Sequence, residues 1–381
     1  MTIDSTRKDD PCGPGKLLAP IRSTRLRTSV PGPVAQVALE RAGRVMNSSR
    51  TANSQLPLVV QKAHGALVYD VDGNVFIDFA CVMLPTGHTP DSTLTALRNG
   101  AETLLYYKDE FGVAEIALQV CESLNALAPF KPAKTVLYDS TFETRSLIRL
   151  HHMAETWPTS SLELSLLSNA KGVLLNIMDA DTLDLPSQEA IDEIVEGCKQ
   201  RNLALFIDET FTGLGRTGKL FAYQHFGIEA DGVLIGRGAA AGLPFAALIG
   251  RADFIDSFSV DSLGASALSC AAAVETINAI VRDDLPNRAV QVEALIRERV
   301  EEWKMQYSWL GTLHGVGLAL ALDVGDFQRA IVLQNACLQR GLILHQVLQH
   351  SECLHLLPPL MIPEEQLHEG LDILEAALGA V

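Results

Sequence analysis

Apolar and polar positions change rhythm three times along this chain. After the Pro31-Gly32-Pro33 turn, residues 34–46 carry apolar side chains at helical spacing among alternating charges, which predicts a helix. Short apolar runs follow at 58–60, 66–69 and 75–79. The last two flank a polar stretch, residues 70–74, that contains Asp72-Gly73, and this predicts a hairpin. From about residue 90 helices alternate with short apolar runs. Helices are expected over 113–127 and 143–153. Another follows Pro186-Ser187, with Ile191, Ile194, Val195 and Cys198 on one face. Strands are expected over 135–138, 172–175, 203–207, 232–235 and 245–249. Such β-α-β alternation predicts an α/β fold with a mostly parallel sheet covered by helices. The last hundred residues read as a smaller α+β unit, with helices over 287–306 and 364–378 and strands over 318–322 and 354–357.

This pattern divides the chain into a polar tail at 1–28 and an N-terminal segment with a hairpin at 29–85, which belongs to the small domain. A large α/β domain follows at 86–285, and a C-terminal small domain at 286–381. The 381 residues are 48% hydrophobic, enough for a large core, and the net charge is −16. That acidity argues against nucleic acid and anionic membrane as partners. The seven cysteines are scattered and include no CxxC pair, so neither a disulfide framework nor a metal site is expected. The opening residues lack an apolar secretory core, and the most apolar stretch, 232–250, is interrupted by Arg237. A soluble cytoplasmic protein is expected.

Ligands of open parallel sheets bind beyond the carboxyl ends of the strands. Asp208, Glu209 and Arg237 stand at such ends, where a solvated charge is the plain alternative. The glycine-rich loop 212–218 lacks GxGxxG spacing and reads as a turn.

These residues also carry a resemblance. PLVVQKAHGALVYDVDGNVFIDFACVMLPTGHTP, LALFIDETFTGLGRTGKLFAYQHFGIEADGVLIGRGAAAGLPFAALIG and LHLLPPLMIPEEQLHEGLDILEAAL resemble, in order, three signatures of class III pyridoxal-phosphate (PLP) aminotransferases. SVPGP and APFKPAK resemble the 4-aminobutyrate branch. The resemblance covers residues 29–381 and implies PLP-transferase fold type I and a homodimer with its ligand in an interdomain cleft. It also implies that the lysine forming the family's Schiff base is here Arg237. A free amine adds to an aldehyde, whereas a guanidinium keeps its proton and does not.

By the same resemblance Asp208 is the aspartate that meets the cofactor nitrogen, and Ser262 stands for a phosphate-capping threonine. Thr141-Phe142 replaces the small pair that cradles the phosphate. Phe211 replaces a glutamine, Asn176 a glutamate, and His355 the arginine that binds substrate carboxylate. Between His152 and Gly172 several dozen residues of the family pattern are missing, among them the ring-stacking aromatic.

The resulting expectation is a repurposed, PLP-independent biosynthetic enzyme acting on a small acidic or amino-acid-derived metabolite, with no cofactor. Its candidate catalytic residues are Arg237, Asp208, Glu209, Glu143 and His355. One alternative binds PLP or pyridoxamine phosphate (PMP) noncovalently through Asp208, Ser262 and Thr141. Another is a non-catalytic pseudoenzyme or partner subunit. Arg237 and Asp208 are expected to pair with each other across the cleft. His151 and His152 read as ordinary helix residues, and Lys171 and Lys219 as surface residues.

Overall fold

The computed structural model describes residues 23–46, 56–107, 111–142, 144–145, 153–156, 171–257, 264–346 and 351–381. Helix α1 (Pro33–Val45) precedes a three-stranded antiparallel meander, β1 (Val60–His64), β2 (Leu67–Asp70) and β3 (Val75–Asp78). The expected hairpin is β2–β3. Asp70 Oδ1 accepts the N–H groups of Asp72 and Asn74, and Gly73 supplies the left-handed step at φ +81°. Both faces of this hairpin are buried. Leu67 and Ile77 enter the main core, while their neighbours Val68 and Phe76 pack on Leu338 and Ile343.

Helices α2 (Asp91–Thr103) and α3 (Glu115–Leu127) lead to the central sheet. Its strands are β4 (Ala133–Tyr138), β5 (Met153–Thr156), β6 (Gly172–Asn176), β7 (Ala204–Asp208), β8 (Gly232–Ile235) and β9 (Ala246–Arg251), in the order β4-β9-β8-β7-β6-β5. Strands β5 to β8 are parallel, and β9 runs against both neighbours. The sheet is mostly parallel, as expected, with β9 the antiparallel exception. The link from β8 to β9 spans residues 236–245, shorter than the dozen or so residues a crossover needs. Of the helix expected over 143–153, the described residues 144–145 are helical. Met153 opens β5, while Glu143 and residues 146–152 lie outside the described residues.

Helix α4 (Gln188–Arg201) covers one face of the sheet. Ser187 caps it, accepting from the Ala190 N–H at 3.2 Å, and Asn202 ends it in the left-handed region. Ile191, Ile194 and Cys198 pack there against the face of Val173, Leu205, Ile207 and Val233. The opposite face carries Leu174, Phe206, Leu234 and Leu248. Helices α5 (Ala252–Ile255), α6 (Ala267–Arg282) and α7 (Leu285–Gln306) follow. The chain closes with β10 (Leu313–Val316), β11 (Ala319–Asp323), α8 (Phe327–Leu338), β12 (Leu342–Ile343), β13 (His345–Gln346), β14 (Cys353–Leu356) and α9 (Glu364–Leu378). Strands β10, β11, β14 and β13 form an antiparallel sheet, and β12 joins the N-terminal meander in parallel with β3. Among the described residues no helix is long and apolar enough to cross a membrane.

Candidate functional site

The carboxyl ends of β4, β7 and β8 meet at one place. Asp208 closes β7, opposite Asn176 on β6 and Leu234 on β8, and is 5% exposed. Its Oδ1 accepts the Thr210 N–H at 3.0 Å, and its Oδ2 is ion-paired with Arg145. Beyond β8 the backbone passes close to its neighbours. A Cβ at Gly236 would come within 3.3 Å of Thr141 Cγ2 and 3.4 Å of Thr210 Cβ. Thr141, Thr210 and Gly236 thus form one surface beside Asp208. Asn176, Phe142 and Arg237 are exposed around it. The adjoining crevice is walled by Val82, Met83 and Pro85 on one side and by Phe211, Gly236 and Gly238 on the other.

The expected Arg237–Asp208 pair is not formed. Arg237 lies past the last paired residue of β8, at the start of a 3-10 turn, and stays in solvent. Solvation spares it the cost of burying a charge, and Arg145 reaches Asp208 instead.

Glu209 follows Asp208 in sequence yet is enclosed at 2% exposure. It accepts from the Thr212 hydroxyl and from the Tyr223 N–H at 3.0 Å. Burial raises its carboxyl to about 7, with the Asp208 charge adding to the rise and these donors opposing it. Its partners are loop atoms, so it ties the 212–223 segment to the strand end.

His355 lies on β14 and is 3% exposed. Its Nε2 sits 2.8 Å from the Asp181 carbonyl and its Nδ1 3.3 Å from His345 Nδ1. Burial lowers it to about 4, so the ring is neutral near pH 7. It faces the loop after β6, and no hydrogen bond among the described residues links it to Asp208, Arg145 or Arg237. Glu143, Ser262, His151 and His152 lie outside the described residues, and Lys171 and Lys219 are exposed.

Two arginines were missed by sequence reasoning. Arg145 fell inside a stretch read as an ordinary helix, and nothing in its spacing marks a partner sixty residues away. Arg216 sits in the loop read as a turn and is fully buried. It donates to the carbonyls of Cys81 (2.8 Å), Pro358 (2.6 Å) and Leu318 (3.2 Å). Burial lowers it to about 10. A lone arginine between glycines of positive φ, Gly215 and Gly218, is the signal that could have revealed it.

The strand-end site on a mixed sheet, with an ion-paired aspartate after β7, defines a PLP-transferase type of architecture, and the comparisons agree. The family profile described as "Aminotransferase class-III" matches residues 183–378. The chain belongs to this family. A probable 4-aminobutyrate aminotransferase of Bacillus subtilis is 31% identical over 208 residues, 51% of this chain and 48% of that protein. The 4-aminobutyrate aminotransferase of Mycobacterium leprae is 27% identical over 444 aligned positions, covering 94% of this chain and 98% of that one. Among solved structures, the acetylornithine aminotransferase of Elizabethkingia anophelis superposes with a TM-score of 0.81 at 22% identity, over 91% of this chain and 99% of that one.

Family membership corrects one expectation. Class III members use PLP, and the solved ornithine aminotransferase of Toxoplasma gondii has PLP in partial occupancy at its active site. An absent cofactor is therefore not the reading to keep. The residues present fit the noncovalent side of such a group. Asp208 is a buried carboxylate that already holds a cationic N–H donor, Arg145, as it would a protonated ring nitrogen. Thr141, Thr210 and Arg237 offer hydroxyl and guanidinium donors to an anion.

Proposed function

We propose that this chain binds PLP or PMP noncovalently, acts on a small acidic or amino-acid-derived metabolite, and works as a homodimer. In this reading Arg237 stands where family members carry the Schiff-base lysine. The observation that carries it is the strand-end pair: Asp208 buried with a cation on its Oδ2, and Arg237 exposed beside it. The Mycobacterium leprae alignment runs to 444 positions, longer than this chain, which agrees with a segment missing relative to that protein.

PLP, when bound, supplies an electron sink for bonds at the carbon bearing the amino group. The chain's own residues do the rest. Asp208 holds the ring nitrogen in the place Arg145 takes without it. Arg237 offers a planar fork of donors to a phosphate or carboxylate. The hydroxyls of Thr141 and Thr210 add donors at the same strand ends. His355, neutral and enclosed, leaves carboxylate recognition to Arg237. Glu209, sealed by its loop, exchanges no proton with the substrate.

The test is to incubate the purified chain with PLP, dialyse, treat with borohydride and measure intact mass. PLP retained by the native protein, released on denaturation and leaving no added mass is the expected result. A pyridoxyl adduct on any lysine would overturn the noncovalent reading, and failure to retain PLP would overturn the cofactor reading.

A further inference from the structure

A second cluster lies outside the strand-end site, in the segment between β3 and α2. His88 Nε2 is 2.8 Å from Asp78 Oδ2, Cys81 Sγ is 3.3 Å from the same oxygen, and Sγ is 3.6 Å from Nε2. Asp78 and Cys81 are buried and His88 is partly so. A tetrahedral zinc ion, with bonds of about 2.3 Å to sulfur and about 2.0–2.1 Å to nitrogen and oxygen, separates its ligand atoms by roughly 3.3–3.6 Å. Two of the three separations already match, and the third needs about half an ångström of opening.

We propose that Asp78, Cys81 and His88 form a zinc site with an open fourth position.

Two observations favour this over a self-contained hydrogen-bonded trio. First, all three donor atoms converge on one point through a single ring nitrogen. In a nucleophilic Cys-His-Asp arrangement the carboxylate and the thiol engage opposite ring nitrogens, so that alternative does not fit. Second, each ligand's backbone is pinned. The Asp78 N–H donates to Ala66 O (2.8 Å) and the Cys81 N–H to Leu357 O (3.0 Å), while Gly65 and His88 exchange two backbone bonds of 2.8 Å. Asp78 Oδ1 is held separately by the Ala80 N–H at 2.7 Å, which fixes the carboxylate as an outer partner would.

The charges also balance. Without a metal the Cys81 S–H donates to Asp78 Oδ2 at 3.3 Å. Zinc displaces that proton to solvent, and the thiolate and carboxylate then neutralise the dication around a neutral imidazole. Sulfur with imidazole selects zinc over magnesium or calcium. The same segment carries Val82, Met83 and Pro85, one wall of the strand-end crevice, so the ion would brace that wall. Sequence spacing, Asp-x2-Cys-x6-His, lacks the CxxC pairs of common zinc motifs, which is why no metal was expected.

The test uses the full chain stripped with a chelator and equilibrated with zinc alone, then with cobalt. One zinc per chain is expected, together with a thiolate-to-cobalt charge-transfer band. Cys81→Ser should abolish the band, and His88→Gln should weaken zinc binding beyond the roughly 10–100-fold typical of an outer-shell change. A wild-type chain that binds no zinc would overturn the proposal, as would a cobalt complex without the thiolate band. Zinc affinity unchanged from wild type in both Cys81→Ser and His88→Gln would do the same. The cobalt spectrum needs no variant, so a misfolded mutant leaves the proposal testable.

Discussion

Two arginines in segments that follow strands of the central sheet are treated in opposite ways. Arg216 is sealed inside and meets three neutral carbonyls from three separate segments, those of Cys81, Leu318 and Pro358. Arg145 is about one-third exposed and is ion-paired with Asp208. The first arrangement spends its three hydrogen bonds on backbone carbonyls, so it fastens the loop after β7 to the C-terminal sheet and the β3–α2 segment. The second leaves a cation at a solvent-facing edge that another donor can displace. Charge is scaffold in one region and an exchangeable partner in the other.

The largest effect expected from this contrast is at Arg216. Arg216→Met leaves the enclosed Leu318 and Pro358 carbonyls without donors, at roughly 1–3 kcal/mol each, and the Cys81 carbonyl with only the Leu84 N–H at 3.4 Å, so stability read from urea unfolding should fall by about 3 kcal/mol. A loss under about 1 kcal/mol would erase the distinction between the two arginines.

Next come two opposed titrations. Glu209 is raised in the fold to about 7, so it stabilises fully below its unfolded value and loses that contribution as pH climbs through 7. His355 is lowered to about 4, so its contribution is present above its unfolded value of 6.5 and is lost as pH falls through 4. Between about pH 4.5 and 6.5 the two slopes oppose each other, each amounting to roughly 3 kcal/mol across its window. Wild-type stability should be nearly flat there. Glu209→Gln should make it rise with pH, and His355→Gln should make it fall. Denaturant titrations at several pH values check both signs.

At the exchangeable site the effects on stability are smaller and those on binding opposite in direction. Arg145→Ala should cost about 1 kcal/mol, since partial exposure screens the pair, yet it should tighten PLP by freeing Asp208. Asp208→Ala should weaken PLP instead. Fluorescence titration with PLP separates the two, and equal shifts in both variants would deny that Arg145 and the ring nitrogen compete. The smallest effect belongs to Lys134→Ala, which breaks an exposed pair with Asp256 and should shift stability by no more than about 0.5 kcal/mol.

Elements with strong local signals were legible in the sequence. The Asp72-Gly73 turn, the Ser187 cap and the apolar runs of β6 to β8 each carry their own cause within a few residues. What failed depended on distance or on connection length. The reversal of β9 follows from a link too short to cross over, and β5 begins at Met153, where the expected helix was to end. Asp208 was placed correctly at a strand end, but its partner was guessed by proximity of strand ends when Arg145 was the group with a reason to be there. Arg216 escaped because glycines beside it suggested a surface turn, while its three acceptors lie up to 142 positions away. The Asp78, Cys81 and His88 cluster needed backbone pairing with residues 65, 66 and 357 to bring its atoms together.

The parallel pairing of β12 with β3 carries a consequence for how the chain is made. The meander near residue 77 receives its fourth strand from residues 342–343, after the whole central sheet has been synthesised. Its outer edge therefore stays unpaired throughout translation, a temptation to neighbouring nascent chains. A ribosome stalled before β12 would release a polypeptide whose middle can settle while its beginning waits.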